Sequence, residues 1–121
     1  MADSLSAPWP VELRLSDQGC NLNLVMDSGE RWQIAAELLR VESPSAEVKG
    51  HGPGQEQLVW GKRLVFITRV EPVGNYAVRL HFNDGHNTGL YTWSYLAKLG
   101  AEQAGLMTAY EAKLKTAGLS R

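Results

Sequence analysis

The sequence predicts an α+β domain, with a small antiparallel β-sheet, short helices and a C-terminal amphipathic helix packed on the sheet. Three observations predict it. Apolar and polar residues alternate over 11–15, 20–26 and 76–82, the period of half-buried strands. Turn-forming residues such as Asp27-Ser28-Gly29 and Asp84-Gly85 interrupt these runs. From about residue 102 the apolar period becomes that of a helix.

In chain order, residues 1–9 are expected to form a flexible N-terminal arm and residues 10–121 a single domain. Val11, Leu13 and Leu15 alternate with Glu12 and Arg14, and Ser16-Asp17-Gln18-Gly19 turns the chain. Cys20, Leu22, Leu24 and Met26 then alternate with Asn21 and Asn23, so the two runs pair as a hairpin with Cys20 on the buried face. Arg31 to Ile34 adds a third short strand. Ala35-Ala36-Glu37-Leu38-Leu39-Arg40-Val41 is rich in helix formers and stops before Ser43-Pro44, because the residue before proline avoids the α region.

Residues 43–62 hold four glycines and two prolines and read as a long loop with a short strand near Leu58-Val59-Trp60. Loops of this length in compact domains are often functional. Leu64–Val70 is β-branched and aromatic, a strand. Glu71-Pro72-Val73-Gly74-Asn75 reads as a turn, Tyr76–Phe82 as a strand with one apolar face, and Asn83-Asp84-Gly85-His86 as a tight turn. Thr92 caps a helix from Trp93 to Leu99 with Gly100 as its stop. Leu106, Ala109, Tyr110, Lys113, Leu114 and Ala117 form the stripe of a last helix, ended by Gly118.

The chain of 121 residues carries 12 lysines and arginines against 13 aspartates and glutamates, a net charge of −1. That balance supplies no overall field for nucleic acid or an anionic membrane, and neither is expected as a partner. A single cysteine, Cys20, forms no internal disulfide. With no basic start or apolar run at the N-terminus, a cytoplasmic, reducing location is expected.

His51, His81, His86, Asp84 and Cys20 are the candidate metal ligands, but they lack the spaced clusters of four nitrogen or sulfur donors that structural zinc uses. Cys20 reads as a small buried thiol, and Ser43 and Ser45 have no adjacent base. Gly50-His51-Gly52-Pro53-Gly54-Gln55 reads as a loop needing unusual φ angles, since no phosphate-binding lysine-serine pair accompanies it. Lys49, Lys62, Arg63, Arg69 and Arg79, near Trp60 and Phe66, read as a solvated sheet face. Tyr91, Trp93 and Tyr95 read as packing residues that, if exposed, would form a docking surface.

Four ordered segments carry a resemblance. They are Glu37–Val48; Gly50–Gln55; Ile67–Val78 with Glu71-Pro72-Val73-Gly74-Asn75-Tyr76; and Asp84-Gly85-His86 with Thr88–Trp93. Together, over about residues 10 to 100, the chain resembles the gamma-butyrobetaine hydroxylase-like N-terminal domain family. The resemblance implies a compact α+β domain found alone in bacteria, as an appendage of some P-loop ATPases linked to iron–sulfur clusters, and at the N-terminus of 2-oxoglutarate-dependent hydroxylases. In those hydroxylases it implies a zinc module of three cysteines, spaced Cys-x-Cys-x-x-Cys, and the histidine of Asp-Gly-His. The matching positions here are Ser43, Ser45, Val48 and His86, so no zinc is expected. The hydroxylase reaction belongs to a separate oxygenase domain.

The leading expectation is a non-catalytic binding or accessory module without a cofactor, serving an unidentified protein partner. Its expected surface is loop 43–55 beside hairpin 83–93, with Ser43, Ser45, His51, Asp84, His86, Tyr91 and Trp93 as binding residues. The alternatives are a zinc- or iron-binding or iron–sulfur accessory protein using His86, His51 and Asp84, and a small enzyme using His86 and Asp84 for acid–base work.

Overall fold

A computed structural model describes residues 9–49 and 57–121. Two three-stranded antiparallel sheets share one core. The first holds β1 (Pro10–Ser16), β2 (Asn21–Met26) and β3 (Arg31–Ala35) in the order β1-β2-β3. The second holds β4 (Ile67–Val73), β5 (Ala77–Phe82) and β6 (Leu90–Thr92) in the order β4-β5-β6. Between them run two short helices, α1 (Ala36–Val41) and α2 (Ala46–Lys49), and the long helix α3 (Trp93–Ala117) follows. The predicted α+β class therefore holds, built on two sheets where the sequence predicted one.

The alternating strands position the core directly. Leu22, Leu24 and Met26 of β2 and Val78, Leu80 and Phe82 of β5 all point inward, joined by Ile34, Ile67, Leu38, Leu39, Tyr91, Leu96 and Leu99. Burying each aliphatic side chain of this kind contributes about 1.5–3 kcal/mol. The two sheets meet at Gly19, where a Cβ would lie 2.2 Å from the Ile67 carbonyl oxygen. Gly19 has φ +90°, so both the close approach and the backbone require glycine there.

Several expectations are corrected. Cys20 is exposed, because a 3₁₀ turn over Asp17–Gly19 delays the start of β2 until Asn21. Leu58–Trp60 is not a strand; this stretch is held by the Tyr110 hydroxyl donating to the Val59 carbonyl and the Gly61 amide donating to the Ser120 carbonyl. β4 starts at Ile67 and continues through Val73, so Pro72, expected in a turn, lies on an edge strand that tolerates its missing N–H. The 43–62 loop contains α2.

Gly100 does not end a helix. One helix runs from Trp93 through Gly100 to Ala117, capped by Thr92 Oγ1 accepting from the Tyr95 amide and closed by left-handed Gly118. Trp32 explains the glycine: its ring atoms and Cβ lie 2.6–2.9 Å from where a Gly100 Cβ would be. On this helix Tyr110 and Leu114 are buried and Leu106 is half-buried, whereas Ala109, Lys113 and Ala117 of the predicted stripe face solvent. Among the described residues no helix is long and apolar enough to cross a membrane.

Candidate functional site

The 43–48 segment meets the turn between β5 and β6. Ser45 precedes α2, and its hydroxyl accepts from the Glu47 amide, which fixes the entry to that helix. Across from it, Asp84-Gly85-His86 forms the predicted turn. The Gly85 amide donates to the Phe82 carbonyl, the Phe82 amide to the His86 carbonyl, and Asp84 Oδ1 accepts from the His86 amide at 3.0 Å. Gly85 takes φ +91°, a backbone that favours glycine.

The two segments lock through polar side chains. Ser43 Oγ and His86 Nε2 are 2.9 Å apart, with Ser43 fully buried and His86 only 7% exposed. The Ser45 amide donates to Ser43 Oγ at 3.3 Å, and the Ser45 and Thr88 hydroxyls are 2.7 Å apart. Gly89 closes over this cluster, since a Cβ there would lie 2.4 Å from Ser43 Oγ. Burial pushes the His86 imidazolium pKa down, and the nearby Arg40 charge adds to that; Glu47 and Asp84 oppose it without reversing it. The ring is therefore neutral near pH 7. A proton on Nδ1, which faces Glu47 Oε1 at 3.4 Å, leaves Nε2 to accept from the Ser43 hydroxyl.

Asp84 does not work with the imidazole ring. Its Oδ2 receives Arg40 Nε at 2.8 Å and Lys62 Nζ at 2.6 Å. Burial alone would raise the Asp84 carboxyl, but the hydrogen bonds from Lys62, the His86 amide and Arg40 hold it well below the usual carboxylate range. A carboxylate this firmly ionised is a poor proton acceptor near neutrality. Arg40 Nη1 is buried without a hydrogen-bond partner among the described residues, so part of this cation's field is left for His86 to feel.

Serine, histidine and glutamate here lie in the order of a nucleophile relay, but they are not placed for one. Ser43 has no exposed surface for a substrate to reach, and the Glu47 side chain is 64% exposed. The cluster joins two backbone segments.

The expected binding residues thus fall into different places. Ser43, Ser45, His86 and Tyr91 are buried, because their polar atoms bond inward; the Tyr91 hydroxyl donates to the Leu39 carbonyl. They form an interior junction and do not present a contact surface. Trp93 is half-buried and its Nε1 donates to the Asn75 carbonyl. Asp84 lies at the rim, paired with Arg40 and Lys62. His51 and the Gly50–Gln55 loop lie outside the described residues. Thr88, Gly89, Glu47 and Arg40 complete the junction, and sequence reading did not single them out as site residues. All four do fall inside the quoted motif segments, which was the only signal available for them.

The sequence profile described as gamma-butyrobetaine hydroxylase-like, N-terminal, matches residues 13–97. The chain belongs to the gamma-butyrobetaine hydroxylase-like N-terminal family. Two solution NMR structures resemble this member at 41% and 45% identity, with TM-scores of 0.83 and 0.82. Each covers 96% of this chain, which spans 91% and 86% of theirs. A crystal structure from Acidithiobacillus ferrooxidans, described as a protein of unknown function in the DUF971 family, is 42% identical with a TM-score of 0.64; the match covers 77% of this chain and 93% of that one. No curated protein matches.

The four positions that correspond to the zinc ligands of the hydroxylases in this family do come together. Ser43 and His86 are in direct contact, Ser45 bonds Ser43 through its amide, and Val48 lies one turn of α2 beyond Ser45, with all four buried. The donor set does not fit zinc: one imidazole stands beside two hydroxyls and an isopropyl group, and the imidazole's Nε2 is occupied by Ser43. Among the described residues no three His, Cys, Asp or Glu side chains cluster as a metal site.

Proposed function

We propose that this family member is a non-catalytic binding or accessory module that docks onto a protein partner. The observation that carries the reading is the buried 2.9 Å contact between Ser43 and His86. It spends the site's most reactive groups on holding the 43–48 segment to the 83–89 turn. The same turn anchors a more exposed stretch: the Asn83 amide donates to the Phe66 carbonyl, and the Phe66 amide donates to Asn83 Oδ1 at 2.8 Å. That stretch carries Leu58, Trp60, Leu64 and Phe66, four of the seven exposed large hydrophobic residues among those described. Clustered exposed apolar side chains mark interaction surfaces. These exposed side chains support a docking surface at 58–66, beside the 83–86 turn, with the expected polar residues as its interior support. No metal takes part in this reading, because Ser43 and His86 satisfy each other.

Photo-crosslinking in the native cell tests it. A crosslinking amino acid at position 64 is expected to trap a discrete protein adduct that the same group at position 28, an exposed turn of the first sheet, does not trap. Identical adduct patterns from the two positions would overturn the proposal.

A further inference from the structure

The surface proposed for docking is continuous with the outer face of the second sheet, and the charges there are unequal. Ile67 is buried, so its neighbours Phe66 and Thr68 point outward. A bulge between Ile67 and Arg69 keeps Arg69 on the exposed side, opposite His81, and the next pair outward is Glu71 with Arg79. Arg63 and Arg69 have no carboxylate within ion-pair distance among the described residues. Glu71 is shared, with Arg79 at 3.7 Å and His81 at 2.8 Å. At the end of the face, Arg40 and Lys62 both share Asp84. Counting Arg40, which reaches Asp84 from the buried junction, five cations thus meet two carboxylates on a chain whose net charge is −1. Leu64, 84% exposed, and Phe66 stand among them.

We infer that this face binds an acidic segment of a partner protein, with an apolar side chain seated on Leu64 and Phe66 and carboxylates paired to Arg63 and Arg69. The inference deepens the binding-module reading and rests on it. The cations without a carboxylate partner among the described residues are guanidiniums, whose planar forks match carboxylates with two parallel hydrogen bonds. An anionic membrane is disfavoured, because polybasic lipid-binding segments carry about 4–8 cations, and most of those here already share a carboxylate. A nucleic acid strand is disfavoured by Glu71, which sits among the guanidiniums and repels a continuous phosphate backbone. A discrete carboxylate avoids Glu71 by pairing at Arg63 or Arg69.

The test uses the full chain and a synthetic peptide that alternates Asp or Glu with Leu and Trp. NMR shift mapping is expected to place the peptide at Arg63, Leu64, Phe66 and Arg69, with affinity falling as salt rises. Arg63→Glu with Arg69→Glu is expected to weaken it by about tenfold or more. Leu64→Ser, at a position too exposed to unfold the domain, is expected to weaken it as well. The inference is overturned if the peptide maps elsewhere, if a Lys/Leu/Trp peptide binds as well, or if single-stranded DNA or phosphatidylserine vesicles bind these residues more tightly. If the peptide fails while crosslinking from position 64 still traps a protein, the acidic chemistry is wrong and the docking module stands.

Discussion

At the scale of single residues, His86 shows how little of a side chain's role its type decides. A histidine following Asp-Gly reads as a ligand or a base, and here it is a buried hydrogen-bond partner of Ser43. This has a pH consequence. Burial, aided by Arg40, depresses the pKa of folded His86 below its usual value. The unfolded chain therefore binds a proton first as pH falls, so the stabilisation is complete above about pH 6.5 and is lost as pH drops through the folded pKa. Asp84 is also depressed, so its contribution is complete above about pH 4 and is lost further into acid. Urea midpoints of the native chain are expected to fall between pH 7 and pH 5. In His86→Gln that fall is expected to be smaller, with the overall midpoint lowered. An unchanged pH slope in the variant would show that His86 is not the group responsible.

The turn at Asp84-Gly85 was legible from sequence because its chemistry is local: an Asx side chain and a glycine set the reversal without help from the rest of the chain. The burial of Ser43 was not legible. It depends on Gly89 and His86, more than forty residues away, and no local pattern reports such a contact.

At the scale of elements, Leu22, Leu24 and Met26 of β2 and Val78, Leu80 and Phe82 of β5 point inward as their alternation predicts, because period two and a buried face say the same thing, whereas Tyr76 is exposed and Ala77 buried against that phase. Cys20 and Gly100 were misread for the same physical reason. A phase or a stop inferred from local residues was overridden by a tertiary neighbour or an inserted turn. Gly100 sits against Trp32, whereas Gly105, five residues later on the same helix, has no neighbour within 4 Å of its would-be Cβ. The two glycines separate packing from propensity. Gly105→Ala is expected to stabilise the domain by about 0.5–1 kcal/mol, through helix propensity alone. Gly100→Ala is expected to destabilise it by about 1–3 kcal/mol, because Trp32 must move. Chemical denaturation of both variants checks this, and equal effects of the same sign would contradict the packing at Gly100.

At the scale of the whole molecule, the family likeness and the function part company. The four positions that the resemblance matches to zinc ligands converge here. Serine and valine stand at three of them, and hydrogen bonds and apolar packing hold the junction together. The scaffold is kept, and the exposed chemistry lies next to it, on the 58–66 segment and the outer sheet face. Sequence reading had identified Trp60, Phe66, Arg63, Arg69 and Arg79 and read them as a solvated face. The placement of Phe66, Arg69 and Arg79 became visible only through the β4–β5 register and the Phe66–Asn83 pairing. Of the residues expected at the surface, Ser43, Ser45 and His86 are buried.

Comparing Ser43→Ala with Leu64→Asp for recovery of the partner trapped in the cell tests this account most directly. Ser43→Ala leaves the His86 ring without its partner and costs about 1–3 kcal/mol of stability, so the folded fraction of each variant is measured alongside. The account predicts that folded Ser43→Ala retains the partner and that Leu64→Asp, equally folded, loses it. Loss from folded Ser43→Ala with retention by Leu64→Asp would contradict it and return the functional site to the buried serine–histidine cluster.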